Sequence, residues 1–241
     1  MSLPEPASVR ALLLDAGGVL VRPSFARVAE SLRRHGVAAD PATLAAVEPE
    51  VKREIDRPPA PGLRTDAERG WHYFNLVLER AGIARSPSTD AALLELKAWH
   101  DRHCLWEDVP EGVGAALLRF RAAGLPLAVV SNSNGTLRLL LDRLGFTSAF
   151  QVILDSAVEG VEKPDPRLFR RALDGLGADA ATALHVGDLY HVDVVGARSA
   201  GVRPVLVDEA DLYPDADCPR VQSLAELAAH LVPAGEESHF C

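Results

Sequence analysis

Five short runs rich in aliphatic and β-branched residues constrain this chain more than any other feature: Ala11–Leu14, Leu125–Val130, Gln151–Leu154, Ala183–Val186 and Pro204–Val207. Runs of four to six such residues between turn signals read as buried strands. Between the later ones lie patterns of helical period: Val113, Leu117 and Phe120 before Gly124; Leu137, Leu140, Leu141 and Leu144 before Gly145; Leu168, Phe169, Ala172 and Leu176 before Gly177. Glycine just past the last periodic residue is a helix stop, because it accepts the left-handed conformation that closes the final turn. Ser223-Leu224-Ala225-Glu226 reads as a capping box opening a last helix through Leu231. Strand and helix therefore alternate from about Glu111 onward. That alternation predicts an α/β fold with a Rossmann-like parallel sheet covered by helices on both faces.

Residues 24–106 follow another rule, since they separate the first strand from the second without a convincing strand of their own. Asp40-Pro41 is an N-cap followed by proline at the first helical position. Thr65-x-x-Glu68 is a second capping signal, leading into Trp71, Phe74, Leu78 and Ala81, and Leu93, Leu96 and Trp99 continue the spacing in a further helix. Pro58, Pro59 and Pro61 make Asp56 to Gly62 a loop, and the tail after Pro233 reads as frayed. The expected organisation is a core domain of residues 1–23 and 107–241 and an inserted α-helical cap of residues 24–106. The joints would lie near Arg22–Ser24 and Trp106–Glu111, stiffened by Pro23 and Pro110.

Composition removes several classes of function. The 241 residues carry 25 Lys+Arg against 34 Asp+Glu, a formal charge of −9, with no basic stripe for nucleic acid or an anionic membrane. Cys104, Cys218 and Cys241 form no C-x-x-C pair, which argues for a reducing compartment and against a structural zinc. The apolar run Ala11 to Val21 is broken by Asp15 and two glycines, so no signal peptide or membrane span is expected and the protein is read as cytoplasmic.

The residues that carry chemistry follow the predicted strands. Asp15 ends the first run and is followed by Ala16-Gly17-Gly18, a carboxylate at the place where open α/β sheets bind ligands. Ser131-Asn132-Ser133 puts a hydroxyl and backbone N–H groups beyond the second strand, suited to a phosphate oxygen. Lys163 lies in the proline-stiffened stretch Lys163-Pro164-Asp165-Pro166, and Gly187-Asp188 ends the fourth strand with Asp193 five residues on. Singly, these read equally well as a solvated acid in a turn, a polar turn, a surface lysine and a helix-capping acid. Together, in this order on successive strand ends, they define a candidate site.

The order D-x-x-G-V-L, S-N-S, K-P-D-P, G-D-x-x-x-x-D, spanning Asp15 to Asp193, resembles the four-motif signature of the haloacid dehalogenase (HAD) superfamily of hydrolases. The inserted helical segment resembles the cap of its phosphoglycolate phosphatase-like and dehalogenase-like members. The resemblance implies strand order 5-4-1-2-3 and a Mg²⁺-dependent phosphatase acting on a small phosphorylated metabolite. By the same resemblance Asp15 is the nucleophile that becomes an aspartyl-phosphate. Asp15, the Gly17 carbonyl and Asp188 hold Mg²⁺ with Asp193 as a further carboxylate, and Ser131, Asn132 and Lys163 bind the phosphoryl group. An all-oxygen shell suits magnesium.

One position departs from the pattern. Phosphatases of the superfamily carry a second Asp two residues after the nucleophile, the general acid for the leaving alcohol; here that residue is Gly17. General acid–base help is worth about 10²–10⁴ in rate. Two alternatives therefore stay open: a catalytically weak scaffold that binds a phosphorylated ligand or partner, and a dehalogenase-like or phosphonatase-like hydrolase. The last would draw on a cap lysine, Lys52 or Lys97; Lys52, in the charged run Glu48 to Asp56, reads as part of a solvated helix face. His72, His100 and His103 read as cap-helix surface residues without a catalytic role.

Overall fold

The computed structural model describes residues 1–56 and 66–233, with the backbone alone for 66–70. In chain order the elements are β1 (Ala11–Leu14), β2 (Arg22–Pro23), α1 (Phe25–Arg34), α2 (Pro41–Ile55), α3 (Asp66–Arg80), α4 (Pro87–His103), β3 (Trp106–Asp108), α5 (Val113–Ala122), β4 (Leu127–Ser131), α6 (Leu137–Arg143), β5 (Val152–Asp155) and α7 (Ser156–Glu159). They continue with α8 (Pro166–Leu176), β6 (Ala183–Gly187), α9 (Val195–Ser199), β7 (Arg203–Val207), β8 (Arg220–Val221) and α10 (Leu224–Leu231).

Six strands form one sheet in the order β5-β4-β1-β6-β7-β8, every neighbouring pair parallel. The expected order of five strands is present, with β8 added beyond the fifth. Alternate residues of the central strands divide the core. Leu12, Leu14, Leu127 and Val129 meet Leu117, Phe120, Leu140 and Leu227 of α5, α6 and α10 on one face. Ala11, Leu13, Ala128 and Val130 meet Leu168, Phe169, Ala172 and Ala197 of α8 and α9 on the other. Burial of each large side chain contributes about 1.5–3 kcal/mol, so both faces of β1 hold the sheet in register. A one-residue slip would exchange the two sets.

Between β1 and the second core strand lies the helical insert, in which α1 packs on α4 and α2 on α3. Its core is its own: Leu32, Leu44, Phe74, Val77 and Leu96 are buried together. Asp40 caps α2 as expected, accepting from the N–H groups of Ala42 and Thr43 ahead of Pro41. One expectation is corrected here. Trp106 is not in a helical segment; it opens β3, which pairs antiparallel with β2 (Pro23 opposite Trp106) in a two-stranded ribbon outside the core sheet. Trp106 packs against both the sheet core and the insert core. At α10 half of the expected capping box forms: Ser223 Oγ accepts from the Glu226 N–H, but the Glu226 carboxylate accepts from Gln222 N–H instead. The Thr65–Glu68 capping signal, the loop after Asp56 and the tail after Pro233 lie outside the described residues. Among the described residues no helix is long and apolar enough to cross a membrane.

Candidate active site

The carboxyl ends of β4, β1 and β6 lie side by side, and each delivers one predicted residue. Ser131 is the last residue of β4, while Asp15 and Asp188 directly follow β1 and β6. Asp15 N–H still donates to the Val186 carbonyl at 2.8 Å, so the ladder holds its backbone to the point where the side chain is needed. The chain then turns tightly, with Leu20 N–H donating to Ala16 O at 2.8 Å. Gly18, at φ +71°, passes so close to Asp188 that a Cβ there would lie 1.8 Å from Asp188 Oδ2; only glycine fits. Gly17 is under neither constraint. Its φ lies outside the left-handed region, and a Cβ there would meet the Trp106 ring at an ordinary 3.7 Å.

Lys163 crosses to the same point with no exposed side-chain surface, its Nζ 2.9 Å from Asp15 Oδ1 and 2.7 Å from Asp193 Oδ1. Its loop is clamped by Asn132, whose Nδ2 donates to Lys163 O at 3.0 Å while its Oδ1 accepts from Lys163 N–H at 2.7 Å. Asn132 thus works as a backbone clamp on the lysine. Asp193 sits in a π-helical turn, Tyr190–Val194, that folds it back under β6. Its Oδ2 accepts from the N–H groups of Asp188 and Leu189, and its Oδ1 meets Lys163 Nζ and His185 Nε2 at 2.8 Å. Both Asp193 oxygens are therefore committed to the protein. Asp15 differs: its Oδ1 accepts from Ala16 N–H and Lys163, while among the described residues its Oδ2 accepts no hydrogen bond.

Lys52 is the main surprise. Far from lying on a solvated helix face, it reaches from α2 into the site, with Nζ 2.5 Å from Asp188 Oδ2 and 23% of its side chain exposed. Beside it Glu48 accepts from the Tyr73 hydroxyl at 3.1 Å. Asp56, at the end of the same helix, accepts from the N–H groups of Tyr190 and His191 and from Tyr213 OH, tying the insert to the turn that carries Asp193.

These charges are mutually dependent. Burial pushes the Asp15 carboxyl up to about 7, with Asp193 and Asp188 adding to the rise and Lys163 opposing it. Burial likewise raises Asp188, against the pull of Lys52. At Asp193 burial is outweighed by Lys163 and His185, which hold it well below the carboxylate range. Both lysines remain charged: burial works against them, and the facing carboxylates raise them above the usual value. Burial lowers His185, so a neutral ring donates from Nε2 to Asp193. One oxygen from each of Asp15, Asp188 and Asp193 lies within 4.8 Å of the others, an all-oxygen set that fits a hard divalent cation.

Three cavities border this cluster: one of about 640 Å³ opens beside Gly18, Glu48, Lys52 and Asp188 and is not lined by Asp15, and the other two adjoin each other at Gly17. The smaller of these two, about 130 Å³, is lined by Asp15, Lys163, Asp188, Lys52 and Glu48. The larger of the two, about 490 Å³, lies toward the insert, and both are bordered by Gly17, Trp106, Ser131 and Asn132. His100, read as a surface residue, lines the larger one and accepts from Leu105 N–H through Nδ1.

The structure brings Asp15, Ser131, Lys163, Asp188 and Asp193 together and sets Lys52, His185, Glu48 and Trp106 beside them, four residues outside the candidate set read from the strand ends. Two signals were present. Glu48 and Lys52 flank the apolar stripe Leu44, Val51, Ile55 on α2, and His185 is the one polar residue inside an otherwise apolar strand.

Comparison with known proteins gives the family. Residues 9–201 match the haloacid dehalogenase-like hydrolase family, and the chain belongs to it. The mouse haloacid dehalogenase-like hydrolase domain-containing protein 3 is 32% identical over 94% of this chain and 93% of its own. A phosphoserine phosphatase of Thermus thermophilus is 45% identical over 56% of this chain and 53% of its own, and a glyceraldehyde 3-phosphate phosphatase of Methanopyrus kandleri 28% over 83% and 84%. Among solved structures, the HAD-hydrolase YfnB of Bacillus subtilis, bound to magnesium, shares the fold with TM-score 0.69 at 19% identity, covering 94% of this chain and 99% of that one.

Proposed function

We propose that this hydrolase is a Mg²⁺-dependent phosphatase that cleaves a small phosphorylated metabolite through an aspartyl-phosphate on Asp15. The observation that carries the reading is the Asp15 side chain, which lines the smaller cavity and is fixed through Oδ1 by Lys163 and Ala16 N–H. The names of the phosphatase relatives support the substrate class, and the magnesium of the Bacillus relative supports the metal.

In the first step Asp15 Oδ2 forms a bond to phosphorus and the ester P–O bond breaks, its electron pair leaving on the substrate oxygen. Water then attacks phosphorus, the acyl phosphate P–O bond breaks and Asp15 returns as a carboxylate; one proton of the water ends on the leaving oxygen and the other stays on the released hydrogen phosphate. Asp15, Asp188 and the Gly17 carbonyl would hold Mg²⁺, which when bound supplies positive charge to the phosphoryl oxygens. Asp193 positions Lys163 and the Asp188 backbone, while Ser131 and Lys163 face the transferring group. Residues 24–106 act as a cap that closes on the core of residues 1–23 and 107–241, pivoting on the β2–β3 ribbon and held shut by Lys52–Asp188 and the Asp56 contacts.

Release of phosphate from p-nitrophenyl phosphate, with and without chelator and in Asp15→Asn, tests this. Turnover that needs both Mg²⁺ and Asp15 is expected; full activity in chelator overturns it. One observation favours a second reading. Because Lys52 and Lys163 offset the acidic cluster without a cation, metal-free cleavage of a carbon–halogen bond by Asp15 is chemically open. Chloride release from 2-chloropropionate in chelator would establish it.

A further inference from the structure

The cavity of about 490 Å³ has a polar side, with Ser131, Asn132, Ser133, Asn134, Ser156 and Glu162, and facing it an extensive aromatic side. The aromatic side is a connected set of rings. Trp71 lies 5.8 Å from Phe74 and 6.3 Å from His100, and Trp106 lies 5.6 Å from both Phe74 and His100. Leu137 and Leu140 add apolar surface. Lys97 and Asp101, which also border it, pair with each other at 2.9 Å, and Glu162 lines the polar side away from these rings. A volume of about 490 Å³ lies in the range of cavities that enclose a ring system.

Its position fixes which part of a substrate it would hold. Asp15 lines the small cavity and not the large one, whereas Gly17, Ser131 and Asn132 border both. In an in-line displacement nucleophile and leaving group stand on opposite sides of phosphorus; the cavity of about 640 Å³ meets the small one only on the Gly18, Glu48, Lys52 and Asp188 side, where the cation would sit, which leaves the cavity of about 490 Å³ for the leaving group. The rings begin at once: the Trp106 indole is 3.7 Å from where a Gly17 side chain would start. The same position lacks the carboxyl that protonates an alkoxide. A leaving oxygen attached directly to an aromatic ring answers both facts, because a phenolate departs with little protonation and its ring fills an aromatic wall.

We infer that the substrate is an aryl phosphate monoester, the ester oxygen borne by an uncharged aromatic ring system seated among Trp71, Phe74, His100 and Trp106. The inference rests on the phosphatase reading and names its substrate class. Asp15 takes the phosphoryl group, the P–O(aryl) bond breaks with its electron pair on the aryl oxygen, and water completes the cycle to orthophosphate and the phenol.

The test compares kcat/KM with Mg²⁺ for 1-naphthyl phosphate, benzyl phosphate, phosphoserine, glyceraldehyde 3-phosphate and phosphocholine. Naphthyl phosphate is expected to exceed the three polar esters by at least about 100-fold, the size of an absent general acid. Benzyl phosphate, with a ring but an alkyl oxygen, should share the low KM and lack the high kcat. 1-Naphthol should inhibit competitively, and Trp71→Leu should raise KM for naphthyl phosphate about tenfold, the loss of one stacked ring. Inhibition by 1-naphthol in the wild-type protein checks the ring site without any variant. Equal turnover of the polar esters, preference for phosphocholine, or no inhibition by 1-naphthol overturns the aryl assignment while the phosphatase reading stands. No turnover of any ester overturns both.

Discussion

Introducing the missing carboxyl, Gly17→Asp, isolates what this site lacks. The backbone there is outside the left-handed region and a Cβ finds only ordinary contact with Trp106, so the fold tolerates the side chain. Removing a glycine at such a position stabilises by up to about 1 kcal/mol through the unfolded chain. The electrostatic cost is larger. A new carboxylate about 6 Å from Asp15, at an effective dielectric of about 20, is repelled by about 3 kcal/mol, or roughly two pKa units. That repulsion raises the new carboxyl from about 4 to about 6, so that it is largely protonated below pH 6 and a fraction of about a tenth is protonated near neutral pH, the state in which it can donate to an alkoxide. Alkyl esters should therefore gain about 10²-fold or more in kcat/KM, bounded by the 10⁴ of general acid catalysis, while aryl esters change little. The assay pairs glycerol 3-phosphate with 1-naphthyl phosphate, with circular dichroism and a melting curve to establish that the variant is folded. A folded variant with no selective alkyl gain, or a wild type that cleaves both esters equally fast with chemistry limiting, refutes the reasoning.

Asp15→Asn should abolish turnover with the melting temperature retained, which phosphate release and calorimetry measure together. Lys52→Met should tighten Mg²⁺ binding by about tenfold or more in isothermal titration, because the cation no longer displaces an ammonium from Asp188; unchanged affinity would remove Lys52 from the cation's place. Asp193→Asn leaves the buried Lys163 short of a counter-charge and should cost about 3–5 kcal/mol, read as a melting point lower by roughly 10 °C. Burial holds the Asp15 carboxyl near 7, above its ordinary 3.8, so below that pH the cation must displace a proton. Mg²⁺ affinity should then climb by up to about tenfold per pH unit toward pH 7 and level off above it, whereas a flat profile from pH 5 to 8 would contradict the raised value.

What could be read from the chain depended on how local the determinant was. The five strand runs and their glycine stops are written in consecutive residues, and the motifs inherit their places from strand ends; hence Asp15, Ser131 and Asp188 arrive where expected. β8 escaped notice because two residues, Arg220–Val221, carry no periodicity. The ribbon escaped because its pairing joins Pro23 to Trp106 across the whole insert. Lys52 was misread for a physical reason: on a helix rich in charge, whether a lysine faces water or a carboxylate is decided by the element opposite, here the end of β6. Asp193 and His185 are a buried pair whose partnership spans eight residues and a π-helical turn, which no strand or helix period announces.

The β2–β3 ribbon brings the entry and exit of the insert to adjacent backbone, with Ser24 N–H donating to Leu105 O at 2.9 Å. In chain path the whole helical segment thus leaves and rejoins the core at one place, a cassette whose length can change without altering the path from β1 to β4, while Lys52 and Asp56 hold it by side-chain contacts alone. The seam has a functional side, since Trp106 belongs at once to the ribbon, to both apolar cores and to the wall of the larger cavity. A graft that joins after residue 105 carries in a foreign cap against this chain's own Trp106; one that joins after residue 106 exchanges the cap and that part of the cavity wall together.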